Sequence, residues 1–176
     1  KYPGGGRRDE PEFRANGNTF DVAWADIDND GDLDLFSAEI THYWAGDSSD
    51  MSMFLINLGR GEEWRFVRRP GLVPPRHSFP LKPGDPKWNQ GDLHSALLDY
   101  DNDGWLDLVI ASSDYPDDQF LRFYRNLEGK GFEEATGKLK IRWRSPGGIS
   151  VSDFDRDGRL DLACGRSHMR LTDEQK

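Results

Sequence analysis

Three stretches of this 176-residue chain carry four or more carboxylates within nine residues. They are Asp26-Ile27-Asp28-Asn29-Asp30-Gly31-Asp32-Leu33-Asp34, Asp99-Tyr100-Asp101-Asn102-Asp103-Gly104-Trp105-Leu106-Asp107 and Asp153-Phe154-Asp155-Arg156-Asp157-Gly158-Arg159-Leu160-Asp161. Each reads D-x-D-x-D-G-x-L-D and is followed by leucine (Leu35, Leu108, Leu162). Carboxylates at this density repel one another unless a cation sits between them. A hard cation that takes six to eight oxygen ligands suits the set, and calcium is the usual one. The glycine at position six permits the sharp turn that aims positions one, three and five at a common point. A backbone carbonyl at position seven (Asp32, Trp105 or Arg159) can add a further oxygen. The expectation is three calcium ions, one per loop.

An EF-hand loop begins the same way, but it closes with a bidentate Glu at position twelve and lies between helices. Here position twelve is Ser37, Ile110 and Cys164, so the position-nine carboxylate (Asp34, Asp107 or Asp161) must close the shell instead. The flanks are β-prone and apolar, as in Phe20-Asp21-Val22-Ala23-Trp24-Ala25 and Leu106-Asp107-Leu108-Val109-Ile110-Ala111. Each loop therefore joins two strands. Three ordinary acidic turns are the bland alternative, and the threefold recurrence in one strand-loop-strand setting argues against it.

The elements that position the loops recur with them. After the first loop and a polar connector come a strand at Met53-Phe54-Leu55-Ile56-Asn57, a turn at Leu58-Gly59-Arg60-Gly61 and a strand at Trp64-Arg65-Phe66-Val67. After the second come Gln119 to Asn126, the turn from Leu127 to Gly131, and Phe132-Glu133-Glu134-Ala135. Asn57 and Asn126 hold the same place, just before the hairpin glycines. Each unit is thus four short antiparallel strands with the acidic loop between the first two. The third stops after its second strand, near Arg166-Ser167-His168-Met169.

The loops start at Asp26, Asp99 and Asp153, and the longer first spacing comes from residues 68–93. That stretch holds six of the ten prolines (Pro70, Pro74, Pro75, Pro80, Pro83, Pro86), which excludes a regular helix or central strand. The expected organisation is an irregular segment 1–19, with a strand near Glu12-Phe13-Arg14. Unit one then spans 20–67, an inserted loop 68–93, unit two 94–136, a partial unit three 137–169 and a polar tail 170–176. Four-stranded units at this period are the signature of β-propeller blades, so the fold class is all-β, with about two and a half blades of a larger ring.

D-x-D-x-D-G-x-x-D-L followed by Asn, hairpin glycines and Phe resembles the FG-GAP/VCBS repeat of integrin-type propellers, most nearly its ASPIC/UnbV-like branch. The resemblance spans about 20–169 and implies one calcium per blade. The ligands it assigns are Asp26, Asp28, Asp30 and Asp34, then Asp99, Asp101, Asp103 and Asp107, then Asp153, Asp155, Asp157 and Asp161. Propellers of this family usually have seven blades, so it also implies that further blades, on this polypeptide or a partner subunit, complete the ring. Residues 153–169, with Ile149, Val151, Leu160 and Leu162, are expected to pack against protein outside these 176 residues.

Composition narrows the partners. Net charge is −9, and 13 of the 32 acidic residues lie in the three loops. Three divalent cations would offset about six of those charges, leaving an unremarkable surface. Arg and Lys are scattered with no basic stripe, so nucleic acid is not expected. No apolar run is long enough to span a bilayer. The chain begins at Lys1 without a signal sequence, as a processed or excised segment of an exported protein would. An extracellular, cell-surface or periplasmic location is expected. The single cysteine, Cys164, allows no intrachain disulfide and reads as a buried strand thiol.

Catalytic signatures are weak. Gly147-Gly148-Ile149-Ser150-Val151-Ser152 lacks the final glycine of a nucleophile elbow, and no phosphate loop fits. Arg-Gly-Asp is absent. His42, His94 and His168 fall at strand ends that could share one face, and Trp44 lies in the polar-aromatic connector Tyr43 to Asp50. These four residues form a candidate face for a protein or carbohydrate ligand, against which stand ordinary structural or solvent-exposed roles. The expected function is a non-enzymatic binding or assembly module with structural calcium. The alternative is a piece of a propeller enzyme acting on polysaccharide, which would show free acids or clustered histidines beside a cleft.

Overall fold

The computed structural model describes residues 18–41, 50–76, 90–112 and 120–166. The expected strand at Glu12 to Arg14, the connector with His42 and Trp44, and His77 and His168 lie outside them. Among the described residues, two four-stranded antiparallel sheets and one hairpin form. Sheet one is β1 (Thr19–Ala25), β2 (Asp34–Glu39), β3 (Met53–Asn57) and β4 (Phe66–Arg69), paired in sequence order. Sheet two is β5 (Asp92–Leu98), β6 (Asp107–Ser112), β7 (Leu121–Asn126) and β8 (Phe132–Glu134), paired the same way. The hairpin pairs β9 (Pro146–Ser152) with β10 (Asp161–Arg166). The sheets remain unclosed, as partial propeller blades are.

Alternation decides which sheet face meets which neighbour. In β1, Ala23 and Ala25 face sheet two, joining Phe36, Ala38 and Phe54 against Leu108, Ile110, Tyr124 and Phe132. Phe54 stacks on Phe132 with centroids 5.0 Å apart, a contact that adds to the area they bury. A second core lies between sheet two and the hairpin, where Val109, Leu121 and Phe123 meet Ile149, Val151, Leu162 and Cys164. The first strands β1, β5 and β9 lie side by side. Asp21 on β1 accepts hydrogen bonds from the Ser95 backbone N–H (2.7 Å) and hydroxyl (3.0 Å) on β5.

Three expectations need correction. The fourth strand of unit one begins at Phe66 rather than Trp64, because Arg60–Glu62 form a 3-10 turn and Glu63 and Trp64 both take positive φ. The chain is still turning where the apolar pattern suggested a strand. The proline-rich stretch 68–93 is partly structure: β4 reaches Arg69, β5 starts at Asp92, and Leu72 and Val73 pack into the first core. The Leu72 carbonyl accepts the Phe132 N–H at 2.7 Å. Finally, Ile149, Val151 and Leu162 pack against sheet two within the chain; of the four expected to need cover from outside, Leu160 alone is strongly exposed. Among the described residues, the uncovered apolar face belongs to sheet one. Phe20, Val22 and Trp24 alternate along β1 with Phe66 beside them, and all four are exposed.

A short helix, α1 (Thr136–Leu139), follows β8 and was not anticipated. Its Thr136 hydroxyl accepts the Phe123 N–H at 2.9 Å and ties the turn back to β7. Cys164 is half-buried, and burial pushes its thiol upward from the usual value.

Candidate metal centres

The three loops fold alike because the same residue types make the same local bonds. Position one is the hub. Asp26 accepts the N–H of Asp30 (3.1 Å) and Gly31 (2.9 Å), Asp99 those of Asp103 and Gly104, and Asp153 those of Asp157 and Gly158. Holding both N–H groups on one carboxylate requires left-handed backbone at positions four and six. Asn29, Asn102 and Arg156 have φ of 58°, 58° and 63°, and the glycines have φ of 94°, 89° and 87°. Asparagine tolerates that conformation well, and glycine at no steric cost. The need at position four had not been read from the sequence, although its signal was there in Asn29 and Asn102.

Position nine closes each loop. Asp34 accepts the Ile27 N–H (3.2 Å), Asp107 the Tyr100 N–H (3.1 Å) and Asp161 the Phe154 N–H (2.9 Å). In the two complete sheets the other oxygen takes the N–H of the third-strand asparagine, Asn57 at 2.9 Å and Asn126 at 2.7 Å. Asp34 and Asp107 are buried. Burial, only partly opposed by those two backbone bonds and reinforced by neighbouring aspartates, pushes each to about 6. Among the described residues no third strand covers Asp161, which is half-exposed.

Carboxylate oxygens of positions one, three and nine converge to within 4.8 Å in every loop: Asp26, Asp28 and Asp34; Asp99, Asp101 and Asp107; Asp153, Asp155 and Asp161. Position five stands at the rim. Asp30, Asp103 and Asp157 accept the N–H of Asp32, Trp105 and Arg159 at 2.9–3.0 Å, which fixes the position-seven backbone. The donor set is wholly oxygen, as a hard cation requires. Asp28 Oδ1 is buried without a hydrogen-bond partner, and burial followed by repulsion from Asp30 raises its carboxyl above the usual range. A buried carboxylate oxygen with nothing to receive is what a missing positive ligand would leave.

Loop one also docks on unit two. The Asn126 amide donates to the Ile27 carbonyl (2.9 Å) as well as to its own loop's Leu106 carbonyl (2.9 Å). The Asn29 amide reaches the Gly104 carbonyl (3.3 Å).

The candidate ligand face is less complete. His94 lies exposed on β5, while His42, Trp44 and His168 fall outside the described residues. A cavity of about 510 Å³ sits instead beside loop two, lined by Asp103, Trp105, Arg125, Glu128 and Lys130 among others. Sequence reasoning also missed a buried polar cluster between the sheets. Asp92 there is bonded by Arg76 and by the Ser52 and Ser112 hydroxyls, with the Gln90 side-chain oxygen accepting the Ser52 N–H. Asp92 itself stands two residues before the expected start of unit two, among residues read as loop.

No helix among the described residues is long and apolar enough to cross a membrane. No curated protein matches the chain. Residues 99–164 match the FG-GAP-like repeat family, a span that takes in loops two and three and the strands between them. The match does not distinguish the ASPIC/UnbV-like branch. Residues 99–164 are thus an FG-GAP-like repeat region, and the same acidic loop and four-strand order are already written once before it, at 19–69.

Proposed function

We propose that this chain is a calcium-stabilised propeller module of an exported protein, serving binding or assembly outside the cytoplasm rather than catalysis. The observation that carries the calcium reading is the convergence of three carboxylates in each loop, together with the partnerless buried oxygen of Asp28. Asp26, Asp28 and Asp34, and their equivalents in the other loops, would hold the ion. The position-five carboxylates and the carbonyls of Asp32, Trp105 and Arg159 lie close by in sequence to complete the shell. A bound calcium supplies positive charge that offsets the repulsion and locks the β1–β2, β5–β6 and β9–β10 hairpins. The location outside the cytoplasm is supported by the repeat family, whose members commonly occur in extracellular proteins. The open sheets support further blades, on the same polypeptide or a partner, as the chain's neighbours.

Metal analysis combined with thermal unfolding tests this reading. Dialysed against calcium, the protein should retain up to three calcium ions per chain. Ligand binding to the folded state at a hundredfold excess over Kd stabilises by about 2.7 kcal/mol per site. EDTA should therefore lower the melting temperature and excess calcium restore it. Asp34→Asn should remove one ion. A protein that retains no calcium and melts identically with and without chelator would overturn the proposal.

A further inference from the structure

The three loops differ in the positive charge the protein itself places on them. In loop two, Arg125 on β7 donates from Nε to Asp101 (2.7 Å), a member of the converging triad, and from Nη2 to Asp103 at the rim. In loop three the position-seven residue Arg159 pairs with Asp157. No carboxylate of loop one is paired with a lysine or arginine among the described residues. Loop one also carries a fifth carboxylate, Asp32, where the others have Trp105 and Arg159. The residue that corresponds to Arg125 in sheet one, immediately before the third-strand asparagine, is Ile56, which packs toward the first core.

We infer that Arg125 is a built-in competitor for calcium at loop two, so that the loops fill in order, loop one before loop two. The inference rests on the calcium reading above. A divalent ion entering loop two must take Asp101 from a guanidinium held by two charge-assisted bonds, and must approach a fixed positive charge. An ion entering loop one meets three converging carboxylates in a loop of five acidic residues, and an oxygen on Asp28 with no partner to give up. Both terms favour loop one, and both act at short range where salt screens little.

Each loop has its own reporter in the position-six glycine, whose N–H is bonded to the position-one carboxylate. Calcium titration of the chelator-treated full chain, followed by the backbone amides of Gly31, Gly104, Trp105 and Gly158, reads the sites separately. In the wild type, Gly31 should respond at lower calcium than Gly104 and Trp105. Arg125→Gln should move the Gly104 and Trp105 midpoint down roughly tenfold, the scale of removing one nearby, partly solvated charge. Gly31 and Gly158 should stay in place. Arg125→Lys, which keeps the charge and loses the fork, should fall between and serves if the glutamine variant does not fold. A variant that moved all three loops together would show Arg125 to be a general stabiliser and overturn the inference. So would coincident wild-type midpoints for Gly31 and Gly104. Either result leaves the calcium reading standing, whereas no amide response in any loop removes that reading and the inference with it.

Discussion

Gly129, in the β7–β8 turn of the second sheet, lies against Asp28 of the first acidic loop so closely that a Cβ there would come within 2.9 Å of both the Asp28 Cα and Cβ. The neighbour is partly backbone and cannot swing aside, and Gly129 itself has φ of 73°. Gly129→Ala should therefore destabilise by about 2–4 kcal/mol, left-handed strain and overpacking together. Gly104→Ala is the control. Its φ is 89° but nothing lies within 4 Å of the added carbon, so strain alone, about 1–2 kcal/mol, is expected. Urea unfolding of both variants checks the difference, and equal losses would deny the Gly129–Asp28 contact any role.

Asn126 joins the same two units by hydrogen bonding. It donates to the Ile27 and Leu106 carbonyls and accepts the Gly129 N–H, all in a buried position. Among the described residues the Asn57 side chain makes only intra-sheet bonds, to the Leu33 carbonyl and from the Gly59 N–H. Asn126→Ala should cost about 2–4 kcal/mol and Asn57→Ala about 1–2 kcal/mol, since only the former strands a buried carbonyl across the interface. Denaturant midpoints rank them, and a reversed order would count against the cross-sheet bond.

How much of this was legible beforehand varies with the range of the interaction. The loops, their strands and the matched positions of Asn57 and Asn126 are local patterns written more than once, so repetition exposed them. What those asparagines do was not legible, because Asn126 reaches Ile27 across ninety-nine positions of sequence. Nor was the face of each strand decidable. Val22 and Val151 look alike in sequence, yet Val22 is exposed while Val151 is covered by sheet two, because sheet two precedes the hairpin and no described sheet precedes β1. Proline count concealed Leu72 and Val73, since it excludes regular strand without excluding packing.

Chelated protein should show an inverted acid response. Burial raises Asp34 and Asp107 to about 6, so between about 4 and 6 the folded chain holds protons that the unfolded chain has released. Stability contributed by these groups is then present in full below the unfolded value and is lost as pH rises through about 6. The loss should be on the order of 1–3 kcal/mol for each carboxylate. Asp34→Asn should flatten part of that slope. Denaturation in EDTA from pH 4.5 to 7.5 reads it, and stability rising with pH across that window would contradict the burial of these two side chains.

The last expectation concerns the open face of sheet one. Phe20, Val22 and Trp24 point the same way along β1, and the Phe66 ring meets Trp24 edge-on with centroids 5.9 Å apart. The corresponding β9 side chains Ile149 and Val151 are the ones that pack on sheet two, so this face of a blade is built to be covered. The opposite end differs: on the hairpin the exposed side chains Ser150, Ser152 and Ala163 are small and offer little apolar area. Left uncovered, clustered aromatic and aliphatic side chains drive association in proportion to their area. The isolated chain should therefore self-associate through sheet one, and a Val22→Thr/Trp24→Lys double variant should sediment as a monomer with little change in unfolding midpoint. Leu160→Lys, on the third loop, should leave the association intact. A wild-type chain that stays monomeric up to about millimolar concentration, far above the range where sizeable apolar interfaces associate, would show that this face needs no partner.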